Sequence, residues 1–552
     1  MKKSSFLKGA FIASAALVIT KIIGIVYVIP FYSIIGERGD ALYVYGYTIY
    51  STFLSISTIG MPLAISKVVC EYNALGYTYS KIRTYKIGRR LMLASGITVF
   101  LILFIFAKPL AIALVKDNVG LVTIEDVTLV IRVISTAIII VPSTGVMRGY
   151  LQGHRYIGPP STSQVVEQFI RVAVLLAGSY IVMKWLKLGS AIAVSVAVFG
   201  ATAGAIGAYF YLFNKIFINR KELLPKVKKT SEEKGITAKT ILLKIVMYAT
   251  PFIMIDLSKS AFNFVNLFTV TSEMVSLGYS AEIAEKALGV ITTWGSKLNV
   301  IVVTVASGIL TSLIPHISDS NARKDYGDIR SIINQSLQIL LFVAFPMAIG
   351  LSFLSKPVWM IFYGSRSIDF KSSIYAFDIF SAFFSCFYAI SIGVVQSMNK
   401  YKIVATALSL GVISKLVLQI PIMRAFAGLG INPAYGSDFA TICGYLIPTI
   451  FLLAYFIKSL KINYDETIKR GFEIFMIIVV MLGALFAFRY VLPMETSSRF
   501  EAVLVTIVYS ILGSLIYTVL TYKFGIIKKI FSERVVNIIK ERFIKNKKNI
   551  VE

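Results

Sequence analysis

The chain has 552 residues, of which 57% are hydrophobic and 15% are charged, and its formal net charge is +28. Soluble domains are about 45–50% apolar and about 25% charged, so this composition excludes an ordinary soluble protein and indicates an integral membrane protein. The three cysteines lie far apart and form no cluster with the two histidines, which argues against a metal centre or a disulfide scaffold.

Apolar runs of about twenty residues or more recur along the chain, and this is the length of a helix that crosses a bilayer. Lipid offers no partner for unpaired backbone groups, and a barrel would show shorter alternating segments, so the runs predict helices. We expect an all-α integral membrane protein with about fourteen transmembrane helices. In chain order the predicted segments are 6–34, 41–69, 87–115, 121–151, 161–182, 188–213, 240–270, 281–314, 329–354, 370–398, 403–423, 439–457, 472–491 and 502–521.

The order of these segments predicts two six-helix lobes in a pseudo-repeat, followed by an additional helix pair. Duplicated lobes around a site at the membrane midplane are a common transporter plan. The tail, rich in lysine, is predicted either as an amphipathic helix on the inner leaflet or as a solvated extension. The predicted boundaries are 1–215 for the N-terminal lobe, 216–238 for a basic cytoplasmic linker, 239–458 for the C-terminal lobe, 459–523 for helices 13 and 14, and 524–552 for the basic tail.

Lysine and arginine are concentrated in alternate loops, and this distribution predicts the orientation of the chain. They cluster around 81–90, 215–234, 323–330 and 458–470 and after 523, whereas the intervening loops hold few. Because cytoplasmic loops carry the excess of these residues, we expect a multi-pass protein with both termini in the cytoplasm. The positive charge is also interpreted as attraction for anionic membrane lipids, and no nucleic-acid partner is expected.

Several cations fall inside the predicted membrane segments, where a lysine costs about 2.5 kcal/mol or more unless it faces protein or water. Lys21, Arg132 and Lys297 have no acidic residue within one helical turn. A water-filled cavity with positive potential around these cations would suit an anionic group such as a diphosphate. Pairing with a distant Asp256 or Asp378 is the alternative.

Other charges in the membrane segments have a potential partner close in sequence. Glu167 precedes Arg171 by four residues and Asp256 precedes Lys259 by three, so each pair can meet on one helix face. Buried carboxylates shift their pKa readily, so they are candidates either for binding a coupling ion or for static ion pairs. The further candidates for cavity cations are Arg171, Lys244 and Lys259, and the candidate acids are Glu167, Asp256 and Asp378. Aromatic side chains are interpreted mainly as interfacial or core residues, including Tyr43, Tyr45, Tyr47 and Tyr50.

Three stretches carry a resemblance to a known family. They read Thr-Lys-Ile-Ile-Gly-Ile at 20–25, Arg-Gly-Tyr-Leu-Gln-Gly at 148–153 and Ser-Gln-Val-Val-Glu-Gln at 163–168. The chain resembles the MurJ-type lipid II flippases of Gram-positive bacteria (the YtgP group) and, more loosely, the SpoVB and Wzx polysaccharide exporters. All belong to the multidrug/oligosaccharidyl-lipid/polysaccharide (MOP) exporter superfamily. The most specific element is a predicted cytoplasmic motif formed by Arg148, Gly149, Gln152 and Gly153.

The resemblance implies a flippase of the bacterial plasma membrane, not an enzyme. Such a protein would move the undecaprenyl-pyrophosphate-linked peptidoglycan precursor, lipid II, from the inner to the outer leaflet by alternating access. It implies no cofactor, with coupling to membrane potential, protons or sodium left open, and the cell-wall synthesis machinery as a potential partner. Relatives commonly carry arginine where Lys21, Tyr27 and Lys297 stand, and lysine keeps the charge but loses the bidentate phosphate fork.

Three other functions stay open. An exporter of another polyprenyl-linked glycan shares the diphosphate and the polyprenyl chain, so the sequence separates it poorly from a lipid II flippase. A cation-coupled drug exporter needs a dominant buried acid, whereas cations outnumber acids in these membrane segments. A membrane enzyme needs a positioned base or metal-binding acids, and neither histidine is predicted at bilayer depth.

Overall fold

The computed structural model describes residue 16 and residues 19–55, 61–115 and 120–530, without the side chains of 53–55, 251–252 and 254–259. This part of the chain is helical and contains no strand, so the predicted all-α membrane fold is confirmed. Eleven of its helices are long and apolar enough to cross a membrane. The total of about fourteen stays a prediction. Most of the basic tail at 524–552 lies outside the described residues.

The helices are numbered here in chain order. They are α1 (Val28–Ser55), α2 (Met61–Ala74), α3 (Thr78–Ile105), α4 (Ala107–Val115), α5 (Ile124–Ser135), α6 (Ala137–Gly153), α7 (Gly158–Tyr180), α8 (Ser190–Ile218), α9 (Arg220–Leu223), α10 (Ala238–Ser276), α11 (Ala281–Gly289), α12 (Gly295–Ala322), α13 (Tyr326–Phe353), α14 (Ser355–Tyr363), α15 (Ile368–Ser397), α16 (Tyr401–Gly428), α17 (Pro433–Leu460), α18 (Asp465–Phe488), α19 (Arg499–Lys523) and α20 (Ile526–Ile530). Two π-helical turns, Ile181–Leu186 and Val290–Trp294, follow α7 and α11.

Short polar residues mark the start of several helices. The Thr123 hydroxyl accepts a hydrogen bond from the Asp126 backbone N–H, and the Asp126 carboxylate accepts one from the Thr123 backbone N–H, so α5 begins with a capping box. Ser280 and Ser498 cap α11 and α19 in the same way with one bond each. These caps fix where the three helices begin.

Close backbone packing joins α7 to α8. A Cβ atom built on Gly200 would lie 2.7 Å from the carbonyl oxygen of Arg171, and one built on Gly204 would lie 2.5 Å from that of Glu167. Small residues four apart let two membrane helices approach in this way. The two glycines therefore fix the heights of Arg171 and Glu167 relative to α8.

The chain divides into two compact units, Met1–Leu298 with Lys415–Ala440 and Asn299–Ser414 with Thr441–Glu552. In the first unit, buried residues of α2, α6, α8 and α10 form a hydrophobic core that includes Val68, Tyr150 and Leu212. The second unit contains a cavity of about 420 Å³ between α13, α18 and α19, with mostly apolar walls. These two units are defined by packing, and their boundaries differ from those of the predicted lobes at 1–215 and 239–458. The two six-helix lobes therefore stay a prediction.

Candidate functional site

A group of aromatic and cationic side chains in the first unit forms the candidate site. We call it the tyrosine–cation cluster, and it consists of Tyr27, Tyr43, Tyr47, Tyr50, Arg171, Trp294 and Lys297. Its members come from stretches that are far apart in sequence. Two of its members, Arg171 and Lys297, are among the candidate cavity cations predicted from the sequence.

Local structure explains how these side chains meet. Tyr43, Tyr47 and Tyr50 lie on α1 at spacings of four and three residues, which places them along one helix face. Arg171 lies on α7, where the glycines of α8 fix its height. Lys297 is in the first turn of α12, directly after the π-helical turn that carries Trp294. Such π-helical turns occur frequently at functional sites because they rotate the following side chains.

The Lys297 ammonium group is held by aromatic rings and one hydroxyl. Its Nζ donates a hydrogen bond to the Tyr27 hydroxyl at 2.5 Å and lies 4.7 Å from the centroid of the Tyr27 ring. It is 4.8 Å from the ring centroid of Tyr47 and 5.7 Å from that of Trp294. Cation–π attraction acts over these distances, so the rings stabilise the charge without neutralising it.

Arg171 shares one of these rings with Lys297. Its guanidinium carbon is 5.5 Å from the Tyr47 ring centroid and 5.4 Å from that of Tyr50. Tyr47 also stacks on Tyr43, which in turn stacks on Trp294, at centroid distances of 5.2 and 5.5 Å. Tyr47 therefore connects the two cations, and the stacked rings hold both in one place.

The cluster keeps a net positive charge. Within the described chain neither Lys297 nor Arg171 forms an ion pair with a carboxylate. Both side chains are partly exposed, whereas Tyr27, Tyr43 and Trp294 are buried. An anion that reaches the cluster would meet two unneutralised cations backed by a buried aromatic wall.

Of the other predicted cations, Lys244 and Arg132 have different partners. Lys244 forms an ion pair with Glu71 at 2.5 Å, which occupies its charge. Arg132 is exposed and lies over the ring of Phe104, at 5.5 Å from the centroid. Lys21 is partly exposed and precedes α1 by seven residues. The side chains of Lys259 and Asp256 lie outside the described residues.

The two described candidate acids each have polar partners. Glu167 accepts a hydrogen bond from Arg148 at 2.5 Å, although Arg171 stands one turn away on the same helix. Asp378 is buried and accepts a hydrogen bond at 2.8 Å from the side-chain amide of Asn299. In the described part of the chain no three His, Cys, Asp or Glu side chains are grouped so that they could hold a metal ion.

The motif at 148–153 joins three helices. Arg148 is buried and donates to the Ser163 hydroxyl at 2.8 Å as well as to Glu167, so it ties α6 to α7. A Cβ atom on Gly149 would lie 2.4 Å from the carbonyl oxygen of Pro62 on α2. One on Gly153 would lie 2.6 Å from Val69, while Gln152 between them is only partly buried. The glycines thus allow α2 and α6 to touch.

The aromatic half of the cluster was missed at the sequence level. Tyr43, Tyr47 and Tyr50 were interpreted as belt or core residues, and Trp294 was not considered. A signal was present, because three tyrosines repeat at helical spacing at the start of the predicted segment 41–69. What the sequence lacks is any sign that Lys297 and Arg171 lie beside that face.

Comparisons with known proteins identify relatives of this chain. The family model described as "Polysaccharide biosynthesis protein" matches residues 6–321, and the MatE model matches residues 262–420. The lipid II flippase MurJ of Bacillus subtilis (strain 168) is 32% identical over 540 residues, covering 96% of this chain and 97% of that protein. Stage V sporulation protein B of the same organism is 25% identical, covering 87% and 88% of the two chains. A solved structure of the lipid II flippase MurJ in an inward closed conformation has a TM-score of 0.67 at 16% identity, covering 93% of this chain and 98% of that one.

Proposed function

Because this chain belongs to the MurJ family of the MOP exporter superfamily, and is therefore a multi-pass transporter of the bacterial plasma membrane, we propose that it flips lipid II from the inner to the outer leaflet. The shared chemistry of such substrates is a diphosphate between a glycan and a polyprenyl chain. The proposal assigns the diphosphate to the tyrosine–cation cluster. It makes this protein a carrier of a lipid-linked precursor and not an enzyme.

One observation carries the proposal: two membrane-segment cations are held together by rings and hydroxyls and not by carboxylates. A carboxylate partner would cancel the charge and leave nothing for a substrate, as Glu71 does for Lys244. Lys297 donates one of its three N–H bonds to Tyr27, so two donors remain. Arg171 offers up to five donors in a planar fork that matches phosphate oxygens.

Breaks in the helices next to the cluster support alternating access to it. α1 is broken at Gly36, where φ is 71°, and the π-helical turn Val290–Trp294 lies directly before Lys297. Breaks of this kind are where membrane helices bend. We infer that α1 and α12 change their tilt at these points when access to the cluster alternates between the two sides. The positive-inside distribution of basic residues supports both termini in the cytoplasm.

Complementation tests the proposal directly. The gene is expressed in a bacterial strain whose own lipid II flippase can be depleted, and growth is followed after depletion. We expect the wild-type protein to restore growth. The proposal fails if the protein reaches the membrane in normal amount and growth still stops.

A second function is favoured by a specific finding. The polysaccharide biosynthesis model matches more than half of the chain, and the glycan end of the substrate would be recognised by groups other than the cations. Export of another polyprenyl-linked glycan therefore uses the same cluster. Failure to complement, together with tight binding of polyprenyl diphosphate by the purified protein, would favour this second function.

A further inference from the structure

A cationic cavity lies at the end of α8, away from the tyrosine–cation cluster. Its volume is about 680 Å³, and among the described residues that line it are four cations and no acid. The cations are Arg89 on α3, Arg220 and Lys221 on α9, and Lys226 just after it. The Arg220 guanidinium carbon lies 5.0 Å from the ring centroid of Phe217, which forms part of the apolar wall.

The acidic residue on the same short helix is already engaged. Glu222 on α9 accepts a hydrogen bond from the Tyr156 hydroxyl, and it does not line the cavity. Tyr150 donates to the carbonyl of Leu223 at 2.5 Å, which fastens the same short helix to α6. The segment that carries three of the four cations is therefore anchored, and these cations line the cavity.

A second cavity adjoins the first at Arg89. Its volume is about 360 Å³, and its other walls are mainly apolar residues of α3, α6 and α8 such as Leu93, Ile140 and Phe210. Arg89 lines both cavities, and its Nη2 donates a hydrogen bond to the Tyr209 hydroxyl at 2.5 Å. Phe210 is 65% exposed, so the apolar cavity continues into an open hydrophobic helix face.

We propose that these two cavities together bind one anionic diacyl phospholipid. The phosphate group lies among Arg220, Lys221 and Lys226, with Arg89 at the boundary, and an acyl chain follows the apolar cavity along α8. A cationic pocket that opens onto an apolar groove matches the two ends of such a lipid. Free phosphate would leave the groove empty, and a zwitterionic lipid would bring an extra cation into a cavity that already holds four.

The proposal is independent of what the tyrosine–cation cluster transports. It concerns a lipid that occupies the surface of α3, α6 and α8 and fastens the segment after α8 to the membrane. All residues involved belong to the first compact unit. A failure of complementation would leave this proposal standing, and a failure of lipid binding would leave the transport proposal standing.

Native mass spectrometry of the full-length protein tests the site. The protein is titrated with dioleoyl phosphatidylglycerol, with dioleoyl phosphatidylcholine and with glycerol 3-phosphate. The test variant is Arg220→Gln/Lys221→Gln/Lys226→Gln, in which every altered residue is exposed. The matched control removes three exposed cations outside the cavity, Lys228→Gln/Lys234→Gln/Lys239→Gln.

We expect the wild type to bind one phosphatidylglycerol at least tenfold more tightly than phosphatidylcholine. The test variant should bind it about a hundredfold more weakly, since each basic residue near an anionic lipid contributes roughly a factor of five. The control should lose less than threefold. If the triple variant does not fold, Lys226→Gln alone should still weaken binding about fivefold.

Four results would overturn the proposal. The test and control variants could weaken binding equally, which would mean general surface attraction. Phosphatidylcholine could bind as tightly as phosphatidylglycerol, which would remove the role of charge. Glycerol 3-phosphate could bind as tightly as the lipid, which would remove the role of the groove. Undecaprenyl diphosphate could displace phosphatidylglycerol one for one, which would assign the cavities to the transported substrate.

Discussion

The ammonium group of Lys297 shows how a charge is kept available at membrane depth. A lysine there costs about 2.5 kcal/mol or more. A desolvated cation–π contact contributes up to about 2 kcal/mol, and a hydrogen bond to a charged group contributes about 1.5–3 kcal/mol. The rings of Tyr27 and Tyr47 and the Tyr27 hydroxyl are therefore sufficient to offset the cost, while the charge remains available.

A residue-scale prediction concerns the pair of Arg148 and Glu167. Arg148→Met removes one partner of a buried pair and leaves Glu167 without its counter-charge, which should lower the free energy of unfolding by about 3–5 kcal/mol. The double variant Arg148→Met/Glu167→Gln should recover part of that loss, because no buried charge is left alone. Thermal unfolding in detergent measures both. An unfolding temperature for Arg148→Met equal to that of wild type would show that the pair is not needed.

The same pair shows the limit of sequence reasoning at this scale. Spacing alone suggested Arg171 as the partner of Glu167, because residues four apart share a helix face. The actual partner is nineteen residues earlier, on α6, which reaches α7 through tertiary packing. Isolated charges such as Lys297 could be recognised from the sequence, since that needs only the absence of a nearby acid. Their aromatic partners could not, because these come from other helices.

At the scale of helices, the contact between α2 and α6 depends on two glycines. Gly149→Ala or Gly153→Ala would place a methyl group 2.4 or 2.6 Å from α2, so each should destabilise the protein by about 1–3 kcal/mol. Gly483→Ala in α18 is the matched control, because nothing lies within 4 Å of its added Cβ. That control should be neutral or stabilising by up to about 1 kcal/mol. Thermal unfolding of the three variants compares them, and equal effects at all three positions would remove the close-contact explanation.

The segment at 216–238, predicted as a basic linker, has its own attachment to the first unit. Burial raises the pKa of Glu233, but backbone hydrogen bonds from Ser80 at 2.8 Å and Thr230 at 3.1 Å lower it, so that the pKa lies below the usual 4.5. A lowered pKa means that the ionised form stabilises the folded state. This contribution is complete above about pH 5 and is lost as the pH falls through the lowered pKa.

The lowered pKa of Glu233 predicts how the stability of a Glu233 variant depends on pH. Glu233→Gln should be less stable than wild type by about 1 kcal/mol at pH 7, because its amide accepts these bonds less strongly. The difference should shrink as the pH falls below 4.5, since the wild-type carboxyl then also becomes neutral. Unfolding temperatures at pH 7, 5 and 3.5 measure it. A difference that stays constant over this range would exclude ionised Glu233 as the cause.

Helices were easier to predict than their breaks. The segment predicted at 121–151 is two helices, α5 and α6, and the segment predicted at 281–314 is α11, a π-helical turn and α12. Hydropathy averages over about twenty residues, so it finds a membrane span but not a change of direction inside it. The π-helical turn before α12 places Trp294 and Lys297 in the cluster. The site therefore depends on a local break that a hydropathy average does not show.

At the scale of the whole molecule, the distribution of basic residues predicts the topology. After replacement of Cys70, Cys386 and Cys443 by serine, Lys228→Cys tests a predicted cytoplasmic position and Glu495→Cys a predicted external one; both residues are exposed. A maleimide that cannot cross membranes should label the second in intact cells and the first only after lysis. Labelling of Lys228→Cys in intact cells would contradict the predicted orientation.

The measurement that tests the central claim most directly is the affinity of the purified protein for undecaprenyl diphosphate. The double variant Arg171→Gln/Lys297→Gln should bind at least about a hundredfold more weakly than wild type, because two charged hydrogen-bond donors are lost. The control Arg330→Gln/Lys402→Gln removes the same charge from exposed positions outside the cluster and should bind like wild type. Equal affinities for the two double variants would contradict the assignment of the diphosphate to the tyrosine–cation cluster.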